Sequence, residues 1–139
     1  MWVAPEETGL EPGYAEADVT AALATGDLVV VVSGLSRHAT TTPVTINNST
    51  AALHVAQMPA GRTVTLPASP YGHLYVARGE VELAVDDRLL EGDAVRTRKP
   101  ARSSCTAPAE PRSCSGRCTP ASPEAQPSCG ITFDATSSR

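Results

Sequence analysis

Three histidines are the side chains of this 139-residue chain best suited to metal or proton chemistry. An imidazole binds metal ions and changes charge near neutral pH. His54 lies in an alternating apolar segment, whereas His73 stands two residues before Tyr75 at the start of another. His38 falls in a polar stretch and is expected to be solvated. We expect His54, His73 and Tyr75 to be the candidate ligand-binding residues, with a structural role as the more frequent alternative for a single histidine.

Two carboxylates are spaced for acid–base work. Glu80 and Glu82 lie at a period of two, which places them on one face of a strand. A pair of carboxylates can act as a general acid and a general base. Asp86 and Asp87 continue the charge, and no pocket-forming motif accompanies the pair. A solvated strand face is therefore the favoured interpretation, and the sequence predicts no catalytic residue.

All four cysteines lie in the last third of the chain, at positions 105, 114, 118 and 129. Four cysteines can bind zinc when they come in closely spaced pairs. Here the spacing is irregular and neither a histidine nor a turn motif supports it. Two disulfides would suit a secreted protein, but thiols stay reduced in the cytosol. The cysteines thus predict no metal site.

The elements that would position these residues are strands. Short runs rich in Val, Ile, Leu and Thr recur between turn residues, which is typical of a sandwich or barrel. The predicted strands are 28–32, 43–46, 52–56, 62–66, 73–76, 81–85, 88–90 and 94–96. Residues 15–24 are the one weak helical candidate. The sequence therefore predicts an all-β fold.

The composition changes abruptly near residue 98. Residues 101–139 contain no Leu, no Val and a single Ile, but many Ser and Pro. A segment so poor in aliphatic side chains gains little from burial, and we expect it to be disordered. The resulting division is a connector at 1–24, a partial β-barrel at 25–98 and a Cys/Ser/Pro-rich tail at 99–139.

Two motifs in the strand region resemble the cupin superfamily. Residues 75–83 read Tyr-Val-Ala-Arg-Gly-Glu-Val-Glu-Leu, and residues 90–95 read Leu-Glu-Gly-Asp-Ala-Val. They match a strand that turns at a glycine, returns, and reaches a Gly-Asp corner. Gly79 and Gly92 can adopt the positive φ that such turns need. The expected fold is a cupin-like jelly-roll β-barrel that is incomplete and followed by the disordered tail.

Further segments narrow the resemblance to pirin-like bicupins. Residues 1–14 resemble the connector between the two cupin halves of these proteins, and residues 33–34, 52–56 and 60–61 resemble the opening of their C-terminal, quercetinase-type cupin. The resemblance covers roughly residues 1–97. It implies that iron, held by three His and one Glu, belongs to an N-terminal cupin that this chain lacks. No cofactor is expected in the chain itself, and the expected partner is that missing half.

The tail also resembles the family after a change of reading frame. GC-rich codons for residues 111–120, read from their third base, encode Ala-Val-Leu-Leu-Trp-Glu-Val-His-Ala, which is similar to the final apolar strand of the family. We therefore expect residues from about 98 onward to be a frameshift product. The chain would then lack its final strand, which would leave an open sheet edge.

Charge and hydropathy limit the partners. The formal net charge is -4 and the basic residues do not cluster, which argues against nucleic acid. The apolar run 28–32 is too short to cross a bilayer. The N-terminus has neither the basic start nor the apolar stretch of a secretory signal. The expected location is the cytoplasm, with no membrane partner.

Three functions remain open at this point. The first is a non-catalytic C-terminal cupin half that serves as a structural or interaction module and is truncated. The second, implied by the resemblance, is part of an iron-dependent quercetin 2,3-dioxygenase. The third is a small-ligand-binding cupin that uses the barrel interior near His54, His73 and Tyr75. Whether the chain takes part in an enzyme is left undecided by the sequence.

Overall fold

The fold consists almost entirely of short strands. A computed structural model describes residues 2–84, 87–98, 104–109 and 128–136. The elements are helix α1 (Thr20–Leu23), strand β1 (Val29–Ser33), a 3-10 helix (Ser36–His38), β2 (Val44–Thr45), β3 (Ala51–Pro59), β4 (Thr63–Thr65), β5 (Tyr71–Arg78), β6 (Glu80–Leu83), β7 (Arg88–Leu90), β8 (Ala94–Arg98), β9 (Ser104–Thr106) and β10 (Ser128–Thr136). All eight predicted strands are present, seven of them with shifted ends, and the only α-helix in the described part of the chain falls within the predicted weak candidate.

The strands form two sheets. A six-stranded sheet has the order β2-β1-β3-β10-β5-β8, and a four-stranded sheet has the order β4-β9-β6-β7. Most neighbouring strands are antiparallel, and β1 pairs with β2 in parallel. In the described ranges no strand is hydrogen-bonded to both sheets. The all-β prediction is confirmed, whereas the sheets do not close into a barrel.

The core lies between the two sheets. It is built from alternate residues of the facing strands, as a period of two requires. The buried cluster contains Ala56, Met58, Val64, Leu66, Leu74, Val76, Val81, Leu89, Cys105 and Ala107. Six of these side chains have almost no exposed surface, and they come from β3 and β5 of the larger sheet and from β6 and β9 of the smaller one. The two sheets are therefore joined mainly by apolar burial.

Gly79 and Gly92 mark the turns that the motif predicts. Gly79 separates β5 from β6 and has a φ of 78°, and Gly92 precedes β8 with a φ of 90°. Residues with a side chain rarely adopt such angles. At Gly79 the chain passes directly from the six-stranded to the four-stranded sheet. The predicted glycine turns are therefore confirmed.

The prediction of a disordered tail is wrong for two segments, Ser104–Thr106 and Ser128–Thr136, which form strands β9 and β10. Strand β9 pairs with β4 and β6, and its neighbourhood buries Cys105 and Ala107 in the core. Counting only Leu, Val and Ile overlooked these small apolar side chains, so the cupin-like unit extends beyond residue 98. The rest of the predicted tail lies outside the described residues.

A long strand occupies the centre of the larger sheet where a missing final strand was expected. Strand β10 pairs with β3 along nine positions and with β5 on its other side. The predicted open edge at this place is therefore wrong. The frameshift hypothesis covers residues from about 98 onward, and no strand pairing tests which reading frame encodes them, so it stays a prediction.

Candidate functional site

His54 projects from β3 toward the space between the sheets. Residues Ala52, Ala56 and Met58 alternate with it on the buried face, and the side chain of His54 itself is only 4% exposed. Val30 of β1 lies opposite His54 in the register. His54 therefore faces the space between the sheets, and its role in ligand binding stays a prediction.

A cleft of about 380 Å³ opens beside His54. Its walls come from both sheets, because β1 and β3 contribute one side and β4 with the loop after it contributes the other. The lining consists of five apolar residues (Leu28, Val30, Leu66, Pro67 and Ala68) and two residues with hydrogen-bonding groups (His54 and Thr65). Ligand pockets span roughly 300–1,000 Å³, and the volume of this cleft lies at the lower end of that range.

The imidazole ring of His38 packs against that of His54. The two imidazole rings meet edge to face, with centroids 5.8 Å apart and planes inclined at 82°. Nδ1 of His38 lies 2.9 Å from the hydroxyl of the buried Ser33, which also accepts the N–H of Leu35. Nε2 of His38 accepts from Nε of Arg37 at 3.4 Å. The prediction of a solvated His38 is wrong, because the 3-10 helix turns its ring back onto the sheet.

The pKa of His38 is lowered from its ordinary value. Burial disfavours the imidazolium, and the neighbouring Arg37 guanidinium disfavours it further. A neutral ring agrees with the hydrogen bonds, since Nε2 accepts from Arg37 and leaves Nδ1 to donate to Ser33. The site beside the cleft therefore holds His38 in its uncharged form at neutral pH.

Stability should fall in acid partly because of His38. The unfolded chain binds a proton there with an ordinary pKa of about 6.5, above that of the folded state. Stability is therefore fully present above that pH and is lost as pH falls through the lowered folded-state pKa. We expect His38→Gln to lose less stability than the wild type between about pH 7.5 and about pH 5 in urea titrations. An unchanged pH dependence in the variant would contradict this origin.

His73 and Tyr75 do not share the interior with His54. Gly72, Leu74 and Val76 occupy the buried face of β5, so His73 and Tyr75, which alternate with them, point to the opposite face. Tyr75 is 40% exposed, and His73 is half-buried beside Arg96 of the edge strand β8. The predicted common pocket is wrong for these two residues, because the core's demand for Leu74 and Val76 fixes the register.

Glu80 and Glu82, the acidic pair noted in the sequence, lie in different environments. Glu82 is exposed, as predicted, whereas Glu80 is largely buried and forms an ion pair with Arg88 of β7. Nε of Arg88 lies 3.0 Å from Oε2 of Glu80. This pair links two neighbouring strands and does not line the cleft, so it offers no acid–base site there.

The described residues do not bring together the ligands of a metal centre. A metal-binding site needs several converging His, Cys, Asp or Glu ligands. Within the described ranges, no three such side chains lie close enough together to hold an ion. The rings of His38 and His54 are in contact, but one nitrogen of His38 is engaged by Ser33. The thiol of Cys105 is buried in the core, and the side chains of the other cysteines fall outside the described part.

Sequence reasoning missed most of the cleft. Leu28 and the segment 65–68 read only as strand ends, and nothing local showed that they face each other across the two sheets. The one usable signal was Pro67, which follows the predicted strand 62–66 and indicates that the strand ends there. None of the helices in the described ranges is long and apolar enough to span a bilayer.

Comparison with solved structures defines the class of fold. The chain superimposes over 99% of its length on 49% of the chain of YhhW from Escherichia coli, with a TM-score of 0.67 and 14% identity. The nickel(II) complex of the same bacterial pirin gives 0.63. A cupin-like protein from Ralstonia eutropha matches 91% of this chain, with a TM-score of 0.55 and 10% identity. The fold is that of a cupin.

Sequence relatives place the chain within that class. Mycobacterium tuberculosis and Mycobacterium bovis contain proteins named putative quercetin 2,3-dioxygenase that are 38% identical over 96 residues. The match covers 69% of this chain and 38% of each relative, so the chain spans well under half of their length. No family model matches the sequence. The chain belongs to the pirin-like cupins of the quercetin 2,3-dioxygenase type.

Proposed function

We propose that the chain is a non-catalytic, C-terminal cupin half of a pirin-like protein and serves as a structural and interaction module. The observation that carries this proposal is the composition of the cleft. Its lining contains one imidazole and no carboxylate or thiol. A cupin site that binds and activates a metal-bound substrate needs several ligands around one point, and the described residues supply no such group.

The proposed partner is the N-terminal cupin half. Residues 2–19 run over the surface without regular structure. They are held at the 47–49 loop, where Asn48 Nδ2 donates to the carbonyl of Ala4, the N–H of Glu6 donates to the carbonyl of Asn47 and Ser49 donates to the Glu6 carboxylate. Trp2 is 87% exposed and Tyr14 is 86% exposed. Large aromatic side chains are enriched in protein interfaces, so this segment supports contact with a second domain. We propose no nucleic-acid or membrane partner and a cytoplasmic location.

The relatives' names favour a second function for the whole protein. Proteins named as quercetin 2,3-dioxygenases share 38% identity with this chain. The complete protein would then act on a flavonol, with iron in the other half. Within this account, the present chain contributes no reacting group and stabilises its partner by packing.

The test is a turnover assay on the chain itself. The chain is reconstituted anaerobically with Fe(II) or Ni(II), and quercetin loss and oxygen uptake are followed after air is admitted. We expect the rate to equal that of the metal in buffer, because no described set of ligands holds the ion. The matched control is His54→Ala, which removes the one imidazole in the cleft. Turnover above the buffer rate that His54→Ala abolishes would contradict a non-catalytic role.

A further inference from the structure

Strand β8 forms one edge of the larger sheet. In the described part of the chain it is hydrogen-bonded to β5 alone, so the N–H and C=O groups on its other side have no neighbouring strand. Such an edge is a template for pairing with a further strand. The side chains of β8 therefore decide which strand can add there.

The outer face of β8 is positively charged. Exposure alternates along the strand, so that Arg96 and Arg98 are exposed whereas Val95 packs against the core. Neither arginine forms an ion pair with another residue in the described ranges. Like charges on facing strands are destabilising, and opposite charges are favourable. The edge thus disfavours pairing with a second β8 and favours an acidic strand.

Residues 14–18 have the pattern that this edge would bind. They read Tyr-Ala-Glu-Ala-Asp, so Glu16 and Asp18 stand two positions apart, as the two arginines of β8 do. The segment is exposed and has no regular structure. The hydroxyl of Tyr14 donates to Oε2 of Glu16 at 2.7 Å, so alternate side chains already lie on one side. The first 36 residues contain six acidic residues and no Lys or Arg, so nothing nearby in the sequence offsets this negative charge.

We propose that residues 14–18 of one copy add to the free edge of β8 in a second copy, as a further strand of its larger sheet. The register that places Glu16 and Asp18 on the outer face brings them beside the arginines and directs the two alanines to the side of Val95. Main-chain hydrogen bonds supply the affinity, and the side chains select the register. A reciprocal exchange makes each contact twice and closes a symmetric dimer.

The occupant is a second copy because the segment is held beside β3 in its own chain. On one side of it, the N–H of Glu6 donates to the carbonyl of Asn47, shortly before β3. On the other side, helix α1 packs against β3. Strands β10 and β5 separate β3 from β8, a distance of roughly 14 Å at the usual strand spacing. This contact goes beyond the proposed packing against an N-terminal half, since it needs only two copies of this chain.

Sedimentation velocity of charge-reversal variants of the full chain tests the proposal. The wild type should form dimers. Arg96→Glu/Arg98→Glu and Glu16→Arg/Asp18→Arg should each weaken dimerisation at least about tenfold, because four exposed ion pairs become repulsive together. An equimolar mixture of the two variants should dimerise like the wild type, since every acidic segment or face then meets a basic one. Recovery in the mixture also shows that both variants fold.

Two controls separate this contact from general charge attraction. Glu7→Arg/Glu11→Arg makes the same change in net charge outside the 14–18 segment, so it should dimerise like the wild type. Raising NaCl from about 50 mM to about 500 mM should weaken the wild-type dimer, because exposed ion pairs are screened. A monomeric wild type, dimers that persist in either charge-reversal variant alone, or a mixture that stays monomeric would overturn the proposal.

Discussion

Gly34→Ala should lose about 3 kcal/mol or more of its free energy of unfolding, at or above the upper end of typical overpacking costs. A Cβ at position 34 would overlap the carbonyl oxygen of Asn48 and would lie 2.6 Å from that of Ile46. Both contacts are with backbone, so no flexible side chain can move aside. The end of β1 and the loop before β3 would have to separate, although Gly34 donates its N–H to Ala51 there.

Urea unfolding of matched glycine variants measures this effect. Gly13→Ala is the control, because a Cβ at that position meets nothing within 4 Å. Its stability should stay within about 0.5 kcal/mol of the wild type, as for other surface changes. Domains are stable by only about 5–15 kcal/mol, so Gly34→Ala should also lower the yield of folded protein. Equal stability of the two variants would show that β1 does not pack against the 46–48 loop.

Leu74→Ala should lose about 2–5 kcal/mol, the usual range for deleting a buried leucine and leaving a cavity. Leu74 is 1% exposed and belongs to the cluster that joins the two sheets. It is also the residue whose burial turns His73 and Tyr75 to the outer face. The substitution therefore tests both the core and the register of β5.

The control for this prediction is a leucine on the smaller sheet. Leu90 is 47% exposed, so Leu90→Ala removes the same atoms from a position that is already in contact with water. Its loss should be no more than about 0.5 kcal/mol. A comparable loss in both variants would mean that β5 presents the other face to the core, and that His73 points inward after all.

The parts of the fold that could be predicted from the sequence are those fixed by local chemistry. The β-branched residues of β1 favour an extended backbone, and Gly79 permits the turn that sends β5 into β6. The glycine needs no information from distant residues, because its positive φ is a local property. These features explain why the strand positions and the cupin motif were predicted correctly.

The remaining features depend on contacts between distant segments. Cys105 and Ala107 become core residues only because β9 lies between β4 and β6, a pairing that composition does not encode. His38 contacts His54 from a 3-10 helix sixteen positions earlier in the chain. The polar residues next to His38 in the sequence therefore did not indicate that its ring lies against the sheet. The side of β5 on which His73 lies was decided by Leu74, since a one-residue shift reverses every side chain of a strand.

Metal content after reconstitution is the most direct test of the central claim that this cupin chain is non-catalytic. The full chain is dialysed separately against Fe(II), Ni(II), Zn(II) and Mn(II), and the metal is then quantified by inductively coupled plasma mass spectrometry against protein concentration. Because His54 and His38 are the only described imidazoles near one another, we predict well below one ion per chain for each metal. One equivalent of any of them per chain, lost in His54→Ala, would contradict the account.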